Sequence, residues 1–163
     1  MERTDHFVFR ASAEKDTERL GRALAKSVPE GGIILLSGGL AAGKTALSRY
    51  IFDELGVREG FCSPTFSIVN EYPLSDGRYC LHADLYRLAD PEELLYTGFY
   101  DLIGDSVLSV IEWPEIVTDA FLEYTMINIE VSYETGERTF DIVSTDRDML
   151  IRLREVLDAD NGL

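Results

Sequence analysis

Ile33-Ile34-Leu35-Leu36-Ser37-Gly38-Gly39-Leu40-Ala41-Ala42-Gly43-Lys44-Thr45 passes from an apolar block into a glycine, four further residues and Gly-Lys-Thr. An unbroken apolar run suits a strand covered on both faces, and the glycines that follow allow a tight curl. The pattern is that of a phosphate-binding P-loop between a strand and a helix. Gly38 and Gly43 let successive backbone N–H groups converge on one anion, and the helix beyond adds its positive N-terminal end. Lys44 has the charge and reach for the outer phosphates, and the Thr45 hydroxyl can take a place on Mg²⁺. Gly39, Leu40, Ala41, Ala42 and Ala46 complete the expected cradle. The predicted ligand is a nucleoside triphosphate.

Outward from this loop the chain alternates strand and helix signals. Phe7–Phe9 reads as a short strand, and Ser12 can cap a helix to about Val28, with Leu20, Ala23, Leu24 and Val28 at helical spacing. Pro29-Glu30-Gly31-Gly32 stops it. Leu47, Tyr50, Ile51 and Leu55 form the inner stripe of the P-loop helix, and Gly56 ends it. After a Ser63-Pro64-Thr65 loop, residues 66–72 and 78–85 read as a hairpin around Ser75-Asp76-Gly77, and Pro91 can open a short helix. Val107–Glu112 is a further buried strand. Residues 127–133 and 140–142 alternate as an antiparallel pair, and Met149, Leu150, Leu153 and Leu157 mark a closing helix. The predicted fold is a single α/β domain over residues 1–163, P-loop NTPase-like and three-layered. Its central sheet is mixed and mostly parallel, with an antiparallel C-terminal hairpin.

Composition narrows the function. The chain has 45% hydrophobic and 28% charged residues, as a globular protein does. No apolar stretch approaches the ~20 residues of a membrane span. Residues 1–6 carry neither the basic nor the apolar part of a secretory signal, so the expected compartment is the cytoplasm. Cys62 and Cys80 are read as reduced thiols. Thirty acidic residues against fifteen basic ones give a net charge of −15, and only Lys15, Lys26 and Lys44 are lysines. Such a surface repels a phosphate backbone and favours either plain solvation or a basic protein partner.

Phosphate binding alone does no chemistry; hydrolysis needs an acid near Mg²⁺ and a group that positions the nucleophile. Acids at the C-terminal ends of buried strands are the natural supply, because that edge of the sheet carries the loop. Asp84, after Tyr79–Ala83, and Glu112, after Val107–Ile111, are the candidates. His82 is read as a satisfied core histidine rather than a base. Thr65 has the hydroxyl for a segment that orders around a terminal phosphate. Asp101-Leu102-Ile103-Gly104 matches a GTPase Asp-x-x-Gly element by spelling, but no guanine-reading Lys-x-Asp exists in the chain.

Four stretches then occur in order: the P-loop; Ser63-Pro64-Thr65-Phe66-Ser67-Ile68-Val69-Asn70-Glu71-Tyr72; His82-Ala83-Asp84-Leu85-Tyr86-Arg87-Leu88; and Ile111-Glu112-Trp113-Pro114-Glu115. Together they resemble the TsaE (YjeE) family of small bacterial ATPases required for threonylcarbamoyladenosine in tRNA. The resemblance implies a seven-stranded mixed sheet, ATP rather than GTP, and Mg²⁺ near Thr45 and Glu112. It further implies a switch role for Ser63–Thr65, a functional Asp84, Trp113 near the site, and Arg138 as a basic residue approaching the nucleotide. The implied partners are a TsaD-like transferase and a TsaB-like scaffold, with tRNA reached only through that complex. The loop departs from the family's usual Gly-Asp-Leu-Gly-Ala-Gly-Lys-Thr: Gly39 replaces the carboxylate, and Ala41 stands where glycine is common.

The expected mechanism has Lys44 and the loop amides on the β- and γ-phosphates, Thr45 and Glu112 placing Mg²⁺, and Thr65 reporting on the γ-phosphate. Asp84 either supports the metal from behind or orients water. A small-molecule kinase would use the same loop, but Arg87 is the only arginine between Asp84 and Arg138, which makes a poor lid. A nucleotide-gated binding module without significant turnover is the third reading.

Overall fold

The computed structural model describes residues 6–57 and 68–161. Seven strands form one sheet in the order β1-β7-β6-β2-β5-β4-β3. They are β1 (His6–Ala11), β2 (Gly32–Gly38), β3 (Val69–Pro73), β4 (Tyr79–Asp84), β5 (Leu108–Glu112), β6 (Thr125–Val131) and β7 (Arg138–Ser144). The four central strands β6, β2, β5 and β4 run parallel. At one margin β7 and β1 continue antiparallel, and at the other β3 pairs antiparallel with β4. The mixed sheet and the β6–β7 hairpin expected from the sequence are both present.

The helices are α1 (Glu14–Ser27), α2 (Lys44–Leu55), α3 (Phe99–Asp105) and α4 (Arg147–Asn161), with short 3₁₀ turns at Pro91–Tyr96, Pro114–Ile116 and Thr118–Ala120. Two apolar clusters lie on opposite faces of the sheet. On one, Ile34, Leu36, Val110, Ile127, Phe140 and Ile142 meet residues of α1, α2 and α4, such as Leu24, Leu47, Ile51, Phe52 and Leu153. On the other, Leu35, Leu81, Ala83 and Ile111 meet Leu94, Phe99 and Ile103 from the 3₁₀ turn and α3. The alternation of Ile34, Leu35 and Leu36 between clusters is why β2 is apolar without interruption.

Three local readings change. The N-cap of helix α1 is Ala13 rather than Ser12, and the helix runs from Glu14, with the Asp16 carboxylate reaching back to accept from the Ser12 and Ala13 amides. Helix α3 follows the 3₁₀ turn in a stretch where no element was expected, and it contains Asp101–Gly104, so that stretch is helical and not a strand-end phosphate element, in keeping with the missing Lys-x-Asp. Phe52, outside the predicted inner stripe of α2, is among its buried residues. At Gly21 a Cβ would lie 2.6 Å from Tyr50 Cβ, so the α1–α2 crossing requires glycine there.

Candidate functional site

The site begins where β2 ends. Gly38 (φ 151°) and Gly43 (φ 109°) take backbone angles that side chains disfavour. A Cβ on Gly38 would meet Ile129 O at 2.8 Å, so β6 also demands a glycine. Helix α2 starts at Lys44 with no side-chain cap on its N-terminus and no acid in its first turn. Its first N–H groups therefore have no partner from a capping side chain, which is the arrangement that attracts an anion.

Lys44 is buried, and its Nζ donates to Gly38 O at 2.6 Å and Gly39 O at 2.8 Å. The same ammonium lies 4.0 Å from the centre of the Trp113 ring. Burial pulls the Lys44 pKa below the ordinary lysine value, and the charges of Glu112, Asp84 and Glu115 oppose that shift. Trp113 is held at φ 55°, a left-handed conformation costly for a bulky residue, with Tyr86 packed on it at 4.8 Å.

The acids come from the adjacent parallel strands β4 and β5, whose register pairs Asp84 with Glu112. Glu112 is 2% exposed, and its Oε1 accepts from the Thr45 hydroxyl at 3.3 Å. Its Oε2 meets His82 Nε2 in a short contact. Asp84 accepts from the Tyr86 amide at 3.0 Å. Burial raises the Asp84 pKa above the usual carboxylate range, the Tyr86 amide opposes the shift, and the Glu112 charge adds to it.

Leu40, Ala41, Ala42, Gly43, Lys44, Thr45, Ala46, Asp84, Glu112 and Trp113 line one open concavity of about 260 Å³. The structure thus gathers nearly all the sequence-selected residues into one place. Gly38 and Gly39 contribute through their carbonyls on Lys44. Arg138, first residue of β7, also arrives: a Cβ on Gly43 would lie 3.2 Å from its Cζ. Thr65, Ser63 and Pro64 lie outside the described residues. Sequence reading passed over Tyr86, and treated His82 as ordinary core. Strand periodicity held the signal for His82, which stands two residues before Asp84 and so on the same face of β4. Ala41, flagged for its spelling, takes φ 61°.

The oxygen donors of Thr45, Glu112 and Asp84 suit a hard cation such as Mg²⁺. Among the described residues no three His, Cys, Asp or Glu side chains gather into a metal cage. Mg²⁺ commonly takes one or two carboxylates, with water and phosphate oxygens completing its shell. Among the described residues no helix is long and apolar enough to cross a membrane.

Comparison with known proteins bears on this site. The family model described as "Threonylcarbamoyl adenosine biosynthesis protein TsaE" matches residues 11–140. A Rickettsia felis protein called tRNA threonylcarbamoyladenosine biosynthesis protein TsaE is 34% identical over 143 residues, covering 85% of this chain and 81% of that one. A Nostoc protein of the same name is 37% identical over 143 residues, covering 83% of each chain. The crystal structure of Bacillus subtilis YdiB superposes with a TM-score of 0.78 at 21% identity, covering 99% of this chain and 100% of that one, a likeness of fold. The matched stretch takes in the P-loop, Asp84, Glu112, Trp113 and Arg138, and the chain belongs to the TsaE family.

Proposed function

We propose that this chain is an Mg²⁺-dependent ATP hydrolase of low intrinsic rate that serves threonylcarbamoyladenosine formation on tRNA. It would do so by cycling a complex of a TsaD-like transferase and a TsaB-like scaffold, consistent with a cytoplasmic protein. The observation that carries the reading is the shared concavity. One opening joins an uncapped helix N-terminus, Lys44, and a buried acid bonded to the Thr45 hydroxyl.

The α2 amides and Lys44 draw in the triphosphate, and Lys44 exchanges the Gly38 and Gly39 carbonyls for phosphate oxygens. Thr45 and Glu112 would hold Mg²⁺, with Asp84 the neighbour of Glu112 in the sheet register; bound there, the ion would supply charge neutralisation for the phosphates. Asp84 stands beside Glu112 with a raised proton affinity, placed to orient the attacking water or accept its proton. Water's oxygen bonds to the γ-phosphorus as the bond to the bridging oxygen breaks, releasing ADP and phosphate. Arg138 supplies a second cation beside Gly43.

The test is ATP hydrolysis by the chain alone and with the transferase–scaffold pair, beside a pull-down with ATP, ADP and no nucleotide. Stimulation by the pair and nucleotide-dependent capture are expected. Phosphate appearing on an added metabolite would mark a kinase instead, and binding without turnover a nucleotide-gated module. Lys44→Ala removes the ammonium from the cradle and is expected to abolish ATP binding, read by calorimetry.

A further inference from the structure

His82 is fully buried on β4, and the chemistry above leaves it without a task. Its Nε2 faces Glu112 Oε2. An ionised carboxylate only accepts, so Nε2 carries the proton and donates it. The other Glu112 oxygen accepts from the Thr45 hydroxyl at 3.3 Å. Both oxygens of one buried carboxylate are thus held, one from the P-loop helix and one from β4.

The imidazole is itself clamped. Its centroid lies 5.5 Å from the Phe52 ring and 6.3 Å from the Tyr72 ring, and those two rings are 5.3 Å apart. Phe52 belongs to α2, the helix that also carries Thr45, while Tyr72 belongs to the edge strand β3. The ring that restrains Glu112 therefore packs on the element that presents the hydroxyl to it. A histidine needed only for core satisfaction could bond to any nearby acceptor. This one bonds to the acid at the C-terminal end of β5.

We infer that His82 is a positioning residue: it fixes the rotation of the Glu112 carboxylate so that Oε1 is presented to Thr45 and to the ion bound between them. The inference rests on the Mg²⁺–nucleotide reading above. Residues that orient a metal-binding side chain through a hydrogen bond commonly govern metal affinity by about 10- to 100-fold. His82 would act on the metal and leave the phosphate cradle, which is built by Lys44 and the loop amides, unchanged.

The experiment separates these two sites by binding rather than by turnover. Mg²⁺ is titrated into the full chain with a non-hydrolysable ATP analogue, read by emission of Trp113, the only tryptophan. Affinity for the analogue is measured in parallel in excess chelator. His82→Phe keeps an aromatic ring against Phe52 and Tyr72 but has no donor. It is expected to raise the Mg²⁺ half-saturation by about tenfold or more, with chelator affinity within about twofold of wild type. His82→Gln restores an N–H donor and is expected to bring the Mg²⁺ response back to within about threefold.

An unchanged Mg²⁺ response in folded His82→Phe overturns the positioning role, as does equal weakening with and without Mg²⁺, which would mark general packing. If His82→Phe does not fold, His82→Met takes its place. Failure of both to fold makes His82 a structural residue and overturns the inference too. A wild-type chain that binds nucleotide with no Mg²⁺ dependence, or binds none, sinks the Mg²⁺–nucleotide reading itself, an outcome distinct from the others.

Discussion

Ala41 and Trp113 are the two non-glycine residues with positive φ among the described residues, and both line the concavity. Left-handed backbone costs an L-residue about 1–2 kcal/mol. Strain of this kind gathers at functional sites, where surrounding structure enforces it. Ala41→Gly should relieve that cost, less roughly 0.4–1 kcal/mol of added freedom in the unfolded chain. The expected net gain is between zero and about 1.6 kcal/mol in urea unfolding; a loss of stability would show that the methyl group is needed.

Asp84 makes a pH-dependent case at the same scale. Its folded-state pKa is raised, so the folded chain binds a proton more readily than the unfolded one, and ionisation at neutral pH costs stability. That penalty is absent at pH values below the ordinary carboxylate pKa and grows as pH rises through the folded value. Asp84→Asn should therefore raise Tm at pH 7, and its advantage should shrink on acidification. Hydrolysis should fall at the same time, a trade of activity for stability. An unchanged Tm at pH 7 would contradict the burial argument. Cys80 is the quiet counterpart: burial pushes its thiol to about 11, which leaves it protonated and inert at neutral pH.

At the scale of elements, the α1–α2 packing carries the P-loop helix. Gly21 lets the helices approach, with Tyr50 Cβ at 2.6 Å and Ile51 N at 3.3 Å from where a Cβ would be. Arg22 crosses the same interface to Glu54 at 3.0 Å and Asp53 at 3.1 Å, while also bonding Glu18 on its own helix. These pairs are part-exposed and individually modest, so close packing dominates. Gly21→Ala would gain about 1 kcal/mol of helix propensity but lose about 1–3 kcal/mol to overpacking. Net destabilisation is expected in thermal unfolding. Because α2 positions Lys44 and Thr45, nucleotide affinity should weaken with it.

For the whole molecule, charge is decisive. A net charge of −15 repels itself, and salt screens that repulsion. Tm should rise when NaCl goes from about 0.02 M to about 0.15 M, where the Debye length is near 8 Å. The same charge predicts that the isolated chain binds tRNA negligibly at physiological salt, measured by filter binding. Tight binding would overturn the view that tRNA is reached only through partners.

The sequence by itself was enough for the P-loop turn, because Gly38 and Gly43 meet a demand of local backbone geometry and Lys44 and Thr45 follow them directly at the start of α2. It was enough for Asp84 and Glu112 as well, since both end apolar runs that must be buried strands. Helix α3 was missed because Phe99 and Ile103 form a single apolar spacing, too short for a periodic signal, and only packing under the sheet stabilises it. The tertiary structure decided what depends on distant parts of the chain meeting. Arg138 reaches Gly43 only because β7 follows β6 beside β2. His82 meets Glu112 only because β4 and β5 are parallel neighbours in one register, and no local pattern in the chain encodes which strands pair or in which alignment.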